Sequence, residues 1–167
     1  PIFDQSFGKA GSFAKWFVAI AAISAFSSLI NARLVLRLGM RTMVLYSLLG
    51  QIVACAGVLI YFLQASLDTT LSFIIYFIWQ TGIFFQAGFA LGNLNALALQ
   101  PMGHIAGFAS SVTGGVSTVI AAVLSSVANR FFDGTPLPLI LSCFLMVCLA
   151  WIIARHLPKD AQDAPQN

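Results

Sequence analysis

The chain has 167 residues, 59% of them hydrophobic and only 8% charged, with a mean hydropathy of +0.93. Soluble domains need a polar surface that this composition cannot supply, so the sequence reads as an all-α membrane protein. Its net charge of +3 comes from basic residues flanking apolar runs, a mark of topology rather than of nucleic-acid binding.

Residues 1–11 form a loop before the first helix, with Ser12 placed to cap it and Lys15 and Trp16 at interfacial depth. The helix is expected over Phe13 to about Ala32. A short basic loop follows, carrying Arg33, Arg37, Gly39 and Arg41, and the glycine can cap or turn it. A second span covers about Thr42 to Gln64, enough at about 1.5 Å per residue to cross a core roughly 30 Å thick. The turn after it holds Asp68. The third run, Leu71 to Leu99, is read as one tilted or kinked helix with Gly82, Gly88 and Gly92 as soft points. Pro101, Met102, Gly103 and His104 make the next turn, and His104 is read as an ordinary turn residue. The fourth span is expected over Ile105 to Ala128. Pro136 and Pro138 are tolerated in the first turn of a fifth, ending near Ala154. A helical bundle over residues 1–158 and a polar tail over 159–167 complete the chain. Arg33, Arg37, Arg41, Arg155 and Lys159 then lie on the cytoplasmic side, against Lys9, Lys15 and Arg130 outside. The start at Pro1, with no signal-peptide pattern after it, reads as that of a piece of a longer protein.

The stretch from Gly88 to Ser126 organises the rest. Gly103, Gly107, Ser111 and Gly115 recur every four residues, which puts them on one helix face. Small residues let helix backbones approach in a bilayer, where packing drives association. Gly88 and Gly92 give the third helix a similar face, so both helices are expected to be central and tightly packed.

All the acidic residues, Asp4, Asp68, Asp133, Asp160 and Asp163, fall in loops or the tail, and no Lys or Arg lies mid-span. No proton or ion path is therefore visible in the spans. Trp79, Gln86, Asn93 and Gln100 are spaced by seven and form a polar stripe on the third helix. Two readings stand. The stripe lines a substrate cavity that holds an uncharged or cationic organic molecule, or it makes interhelical hydrogen bonds that fix packing. Phe73, Phe77, Phe84, Phe85 and Phe89 face either an apolar pocket or lipid. Gln51 and Asn95 are isolated on their faces. Cys55, Cys143 and Cys148 have no metal-ligand spacing and read as small apolar residues. No nucleophile with its base and no metal or cofactor site can be assembled, so the chain is not read as an enzyme.

Three stretches carry a resemblance: the basic segment Asn31 to Arg41; Asn95 to Ser111, with its pattern Pro101-x-Gly103-x-x-Ala106-Gly107-x-Ala109-Ser110; and the small-residue run Gly114 to Ser126. They resemble the major facilitator superfamily, in particular its drug:proton antiporters of the bicyclomycin/chloramphenicol-resistance type. The resemblance implies that about five transmembrane helices correspond to helices eight to twelve of a twelve-helix transporter in the bacterial inner membrane. It implies efflux of amphipathic small molecules in exchange for protons, with the proton-coupling acids in the N-terminal half. Gln86 and Asn93 would then line the substrate cavity. Gly107, Ser111 and Gly115 would allow the contacts about which the halves rock, and Arg33, Arg37 and Arg41 would hold the cytoplasmic gate. The basic segment lacks the acidic residue of the motif's N-terminal copy. Alternatives are a nutrient importer of the same superfamily and a non-transporting five-helix membrane subunit.

Overall fold

In an apolar medium the backbone must satisfy its own hydrogen bonds, and long runs of Leu, Ile, Phe and Ala without internal proline meet that demand as helices. The computed structural model describes residues 7, 11, 13–64 and 69–156. It contains α1 (Phe13–Leu38), α2 (Met40–Phe62), α3 (Thr70–Leu99), a 3-10 segment (Gln100–Ile105), α4 (Ala106–Arg130) and α5 (Leu137–Ala154), with no strand among the described residues. The expected cap at Ser12, the turn with Asp68, the charges at Asp4, Lys9, Lys159, Asp160 and Asp163, and the tail lie outside the described residues.

Four helical stretches are long and apolar enough to cross a membrane: Ala14–Leu38, Met40–Phe62, Thr70–Arg130 and Leu137–Ala154. The third is 61 residues long, which as one straight helix would measure about 90 Å. It is bent instead. Pro101 sits in the first turn of the 3-10 segment and Met102 leaves helical geometry at φ −112°, ψ 28°. Ile83 and Gln86 of α3 line the same cleft as Leu124 and Ser125 of α4, so α4 doubles back along α3.

The joints follow from local chemistry. α1 runs on to Leu38, well past Ala32, because residues 31–38 contain good helix formers and no breaker. Gly39 stops it, at φ 78° and ψ 154°, a backbone that glycine alone adopts freely. The Gly39 N–H donates to the Val35 carbonyl at 2.9 Å and the Met43 N–H to the Gly39 carbonyl at 3.2 Å. The expected basic loop is therefore a one-residue joint. Arg33 and Arg37 ride on the last turns of α1 and Arg41 on the first turn of α2. Thr69 caps α3 by accepting from the Ser72 N–H at 3.1 Å, and the Ser72 hydroxyl lies 3.1 Å from that of Tyr61 at the end of α2. Before α5, Asp133 accepts from the Thr135 hydroxyl at 2.6 Å and its N–H at 2.9 Å. These bonds, the hydroxyl's foremost, hold the carboxyl below its usual range. Pro138 sits in the first turn of α5, as expected, whereas Pro136 stands just before it at the cap position.

α3 is the central helix, packed against both α1 and α2, and α5 packs on the far side of α2. The core falls into two clusters. One joins Ile20, Cys55, Phe73, Tyr76, Trp79 and Ile140, with Trp16 edge-on to Phe73 and Phe77 at 5.1 and 5.2 Å. The other joins Val44, Leu48 and Ala154 at the opposite end of α2. α3 is central as expected; α4 is not. Every residue from 110 to 127 is exposed, and α4 meets the other helices only sparsely. Large apolar side chains such as Leu36, Val53 and Phe108 also face outward at 84, 66 and 74% exposure. An apolar exterior of this extent suits a bilayer or a protein partner, not water.

Candidate ligand cleft

A cleft of about 430 Å³ opens between α2, α3, α4 and α5. Its walls are apolar, built from Ile83, Leu124, Leu139, Cys143, Met146 and Val147. Two amides, Gln51 from α2 and Gln86 from α3, reach it from the core side, and Ser125, Asn129 and Ser142 contribute from α4 and α5. Gln51 is buried, and its Nε2 donates to the Cys55 sulfur at 3.6 Å. Cys55 also receives the Trp79 indole N–H at 3.3 Å, so these two donors share one soft acceptor beneath the cleft. Ser142 spends its hydroxyl proton on the Pro138 carbonyl at 2.7 Å. The Gln86 side chain makes no hydrogen bond among the described residues and is half-buried. An apolar pocket with one or two uncommitted polar groups holds an amphipathic guest by burial and orients it by those groups.

The stripe on α3 is split by its neighbours. Gln86 lines the cleft. Trp79 and Asn93 do not line it; both make the interhelical contacts of the second reading. Trp79 is buried against α2 through Cys55. Asn93 turns toward α1, where its Nδ2 donates to Asn31 Oδ1 at 2.8 Å and to the Phe89 carbonyl at 2.7 Å. A double-mutant cycle with Asn31→Leu and Asn93→Leu, read by thermal unfolding in detergent, is expected to give a coupling of about 0.6 kcal/mol, the ordinary worth of such a contact between apolar helices. Zero coupling would remove the pair from the account. Gln100, the last member of the stripe, is exposed at the start of the 3-10 segment. Three of the phenylalanines meet α1, Phe73 and Phe77 packing on Trp16 and Phe84 meeting Phe17 edge-on at 5.8 Å, while Phe85 and Phe89 pack on each other at 5.3 Å.

Gln51 is the residue that sequence reasoning underweighted. The available signal was a lone amide in a long apolar span, four residues before Cys55 and so on the same face.

The small residues divide in the same way. A Cβ on Gly88 would land on the Ser27 hydroxyl and lie 2.9 Å from the Ser27 Cβ, so Gly88 is where α1 and α3 touch. Gly92, Gly103, Gly107 and Gly115 have nothing within 4 Å of a Cβ, and the Ser111 hydroxyl bonds back to the Gly107 carbonyl at 3.0 Å. The close packing expected at these five positions is not made within the described residues: Gly107, Ser111 and Gly115 lie on the peripheral α4, Gly103 is exposed in the 3-10 segment, and Gly92 is on an exposed face of α3. Of the residues expected at a cytoplasmic gate, Arg33 and Arg37 are exposed on α1, and Arg41 donates to the Arg155 carbonyl at 2.9 Å, joining the start of α2 to the end of α5.

Fold and cleft together define a bundle of membrane-length helices around an amide-floored apolar recess. Comparison of the chain with family models, with curated proteins and with solved structures gives no match.

Proposed function

We propose that the chain is the C-terminal part of a proton-coupled multidrug efflux transporter of the bacterial inner membrane, similar to the drug antiporters of the major facilitator superfamily. The observation that carries this reading is the cleft. It has a volume suited to a drug-sized guest, apolar walls, and the uncommitted amide of Gln86 beside that of Gln51. The reversal at residues 100–105 supports counting Thr70–Arg130 as two crossings, for five in all. The bare face of α4 supports a further set of helices that covers it. On this reading the guest is uncharged or cationic, because amides and aromatic rings complement both and no described carboxylate lines the cleft.

Efflux of a lipophilic cation by cells expressing the full-length protein tests the reading. Gln86→Leu is expected to lower the apparent affinity by about tenfold, the worth of one lost hydrogen bond in an apolar site. Gln51→Leu is expected to lower it less, since that amide is already engaged with Cys55. Unchanged transport in both variants would place the substrate elsewhere.

A five-helix subunit without transport of its own is the second reading, favoured by the same uncovered α4 and by the lack of a charged residue mid-span among the described residues. It differs in predicting a fixed companion that co-purifies in constant ratio.

A further inference from the structure

The hydrogen-bonding chemistry of the ligand cleft is one-sided. Gln51 is only 5% exposed, and packing assigns each end of its amide. Its Nε2 donates to the Cys55 sulfur, which also receives the Trp79 indole N–H. The carbonyl oxygen is thereby turned away from the thiol. Among the described residues Gln51 Oε1 accepts no hydrogen bond, and the cleft that Gln51 lines gives access to it. It lies beside Gly82 on α3, where an added Cβ would stand 3.8 Å away, so no side chain at that position covers it. A carbonyl oxygen held in an apolar recess without a donor is costly, and a guest that brings a donor recovers that cost.

α5 offers the same chemistry. Ser142 spends its proton on the Pro138 carbonyl at 2.7 Å, and a hydroxyl so committed presents only lone pairs to the cleft. The fixed polar groups are thus acceptors, one from α2 and one from α5. Gln86, Ser125 and Asn129 carry no hydrogen bond among the described residues and can turn either a donor or an acceptor inward. No Lys, Arg, Asp or Glu lines the cleft. A guest with acceptors alone satisfies the adaptable groups and leaves Gln51 and Ser142 unmet. A guest with an N–H or O–H satisfies both kinds.

We propose that the cleft selects amphipathic molecules by their hydrogen-bond donors, and that Gln51 Oε1, seconded by Ser142 Oγ, reads them. The ligand class is a lipophilic molecule bearing N–H or O–H, above all a protonated alkylamine, because a charged donor makes the stronger bond. A quaternary ammonium ion has the same charge and no N–H, so it keeps its burial and loses that bond. The proposal rests on the reading of the cleft as a substrate site and deepens it.

Equilibrium dialysis of a matched pair of ions against the purified full-length protein in detergent, with protein-free micelles as the blank, tests it. The pair is an arylalkyl secondary amine, protonated at neutral pH, and its trimethylammonium counterpart. The amine is expected to bind about tenfold more tightly, the worth of one hydrogen bond from a charged donor. Gln51→Leu should remove most of that difference by weakening the amine, and should leave the quaternary ion nearly where it was. Gln51→Leu with Ser142→Ala should bring the two ions level. Should leucine at this position fold poorly, Gln51→Met removes the same oxygen with a side chain closer in shape. Equal binding of the two ions by the wild type would overturn the proposal, as would a preference for the amine that survives the double variant. Failure of both ions to bind would instead count against the cleft as a substrate site, on which the proposal rests.

Discussion

Replacing Gly88 by leucine is expected to prevent α1 and α3 from closing on each other and to abolish recovery of folded protein. The reason is local. Even a single Cβ at this position meets the Ser27 hydroxyl, whose own rotamer is fixed by donation to the Ser24 carbonyl at 2.6 Å. Ser27 is almost wholly buried, at 1% exposure, so neither side has space into which to move. Overpacking a tight core commonly costs about 1–3 kcal/mol, and here the obstruction lies between two backbones, so the cost should reach the top of that range. Gly88→Ala should already lower the unfolding temperature measurably. Gly92→Ala, one turn along, has open space and should leave it unchanged or raise it slightly, because alanine favours a helix over glycine by about 1 kcal/mol. Equal behaviour of the two alanine variants would mean that α1 does not cross α3 at Gly88.

Gly107→Leu and Gly115→Leu are expected to separate folding from function. In this chain nothing lies within 4 Å of a Cβ at either position, so both variants should fold like the wild type. In the full-length transporter proposed above, the same face is covered by helices of the other half, and a leucine there would hold the backbones apart and abolish efflux. The measurement is efflux of a lipophilic cation together with expression level and melting temperature. Normal efflux with normal expression would show that the small-residue face of α4 is not an interface. Gly88 and Gly107 thus belong to the same sequence pattern and are predicted to fail in opposite ways.

That contrast shows what the sequence can and cannot convey. Four-residue spacing marks Gly103, Gly107, Ser111 and Gly115 as a face able to pack closely, but spacing alone names no partner helix, and the described chain offers none. The boundaries of α2 and α5 were legible because glycine and proline punctuate them at Gly39, Pro136 and Pro138. The end of α1 was not, since Asn31, Arg33 and Arg37 look like loop residues although leucine and arginine carry the helix forward to Gly39. The stripe Trp79, Gln86, Asn93 was legible as a set of polar positions that must avoid lipid. Its members nonetheless met three environments. A central helix touches different neighbours along its length, and a spacing of seven drifts by about 20° per heptad on a straight helix. Hence Trp79 reaches Cys55, Asn93 reaches Asn31, and Gln86 alone opens onto the cleft. The partnership of Gln51 with Gln86 depends on how α2 is set against α3, which no local pattern encodes.

Arg41 and Arg155 illustrate the same limit at the other end of the bundle. They are separated by 114 positions and were legible only as topology markers. Packing of α5 on α2 is what brings the Arg41 guanidinium to the Arg155 carbonyl.

The central claim is that this chain forms part of a larger transporter, and the most direct measurement is to determine the coding sequence upstream of Pro1 as far as the native start. The account predicts about seven further apolar spans, the complement of five in a twelve-helix transporter of two six-helix halves, with a carboxylate inside one of the early ones. A start codon immediately before Pro1 would contradict it: the uncovered face of α4 would then belong to a contact with another protein, and proton-coupled transport by this chain alone would be untenable.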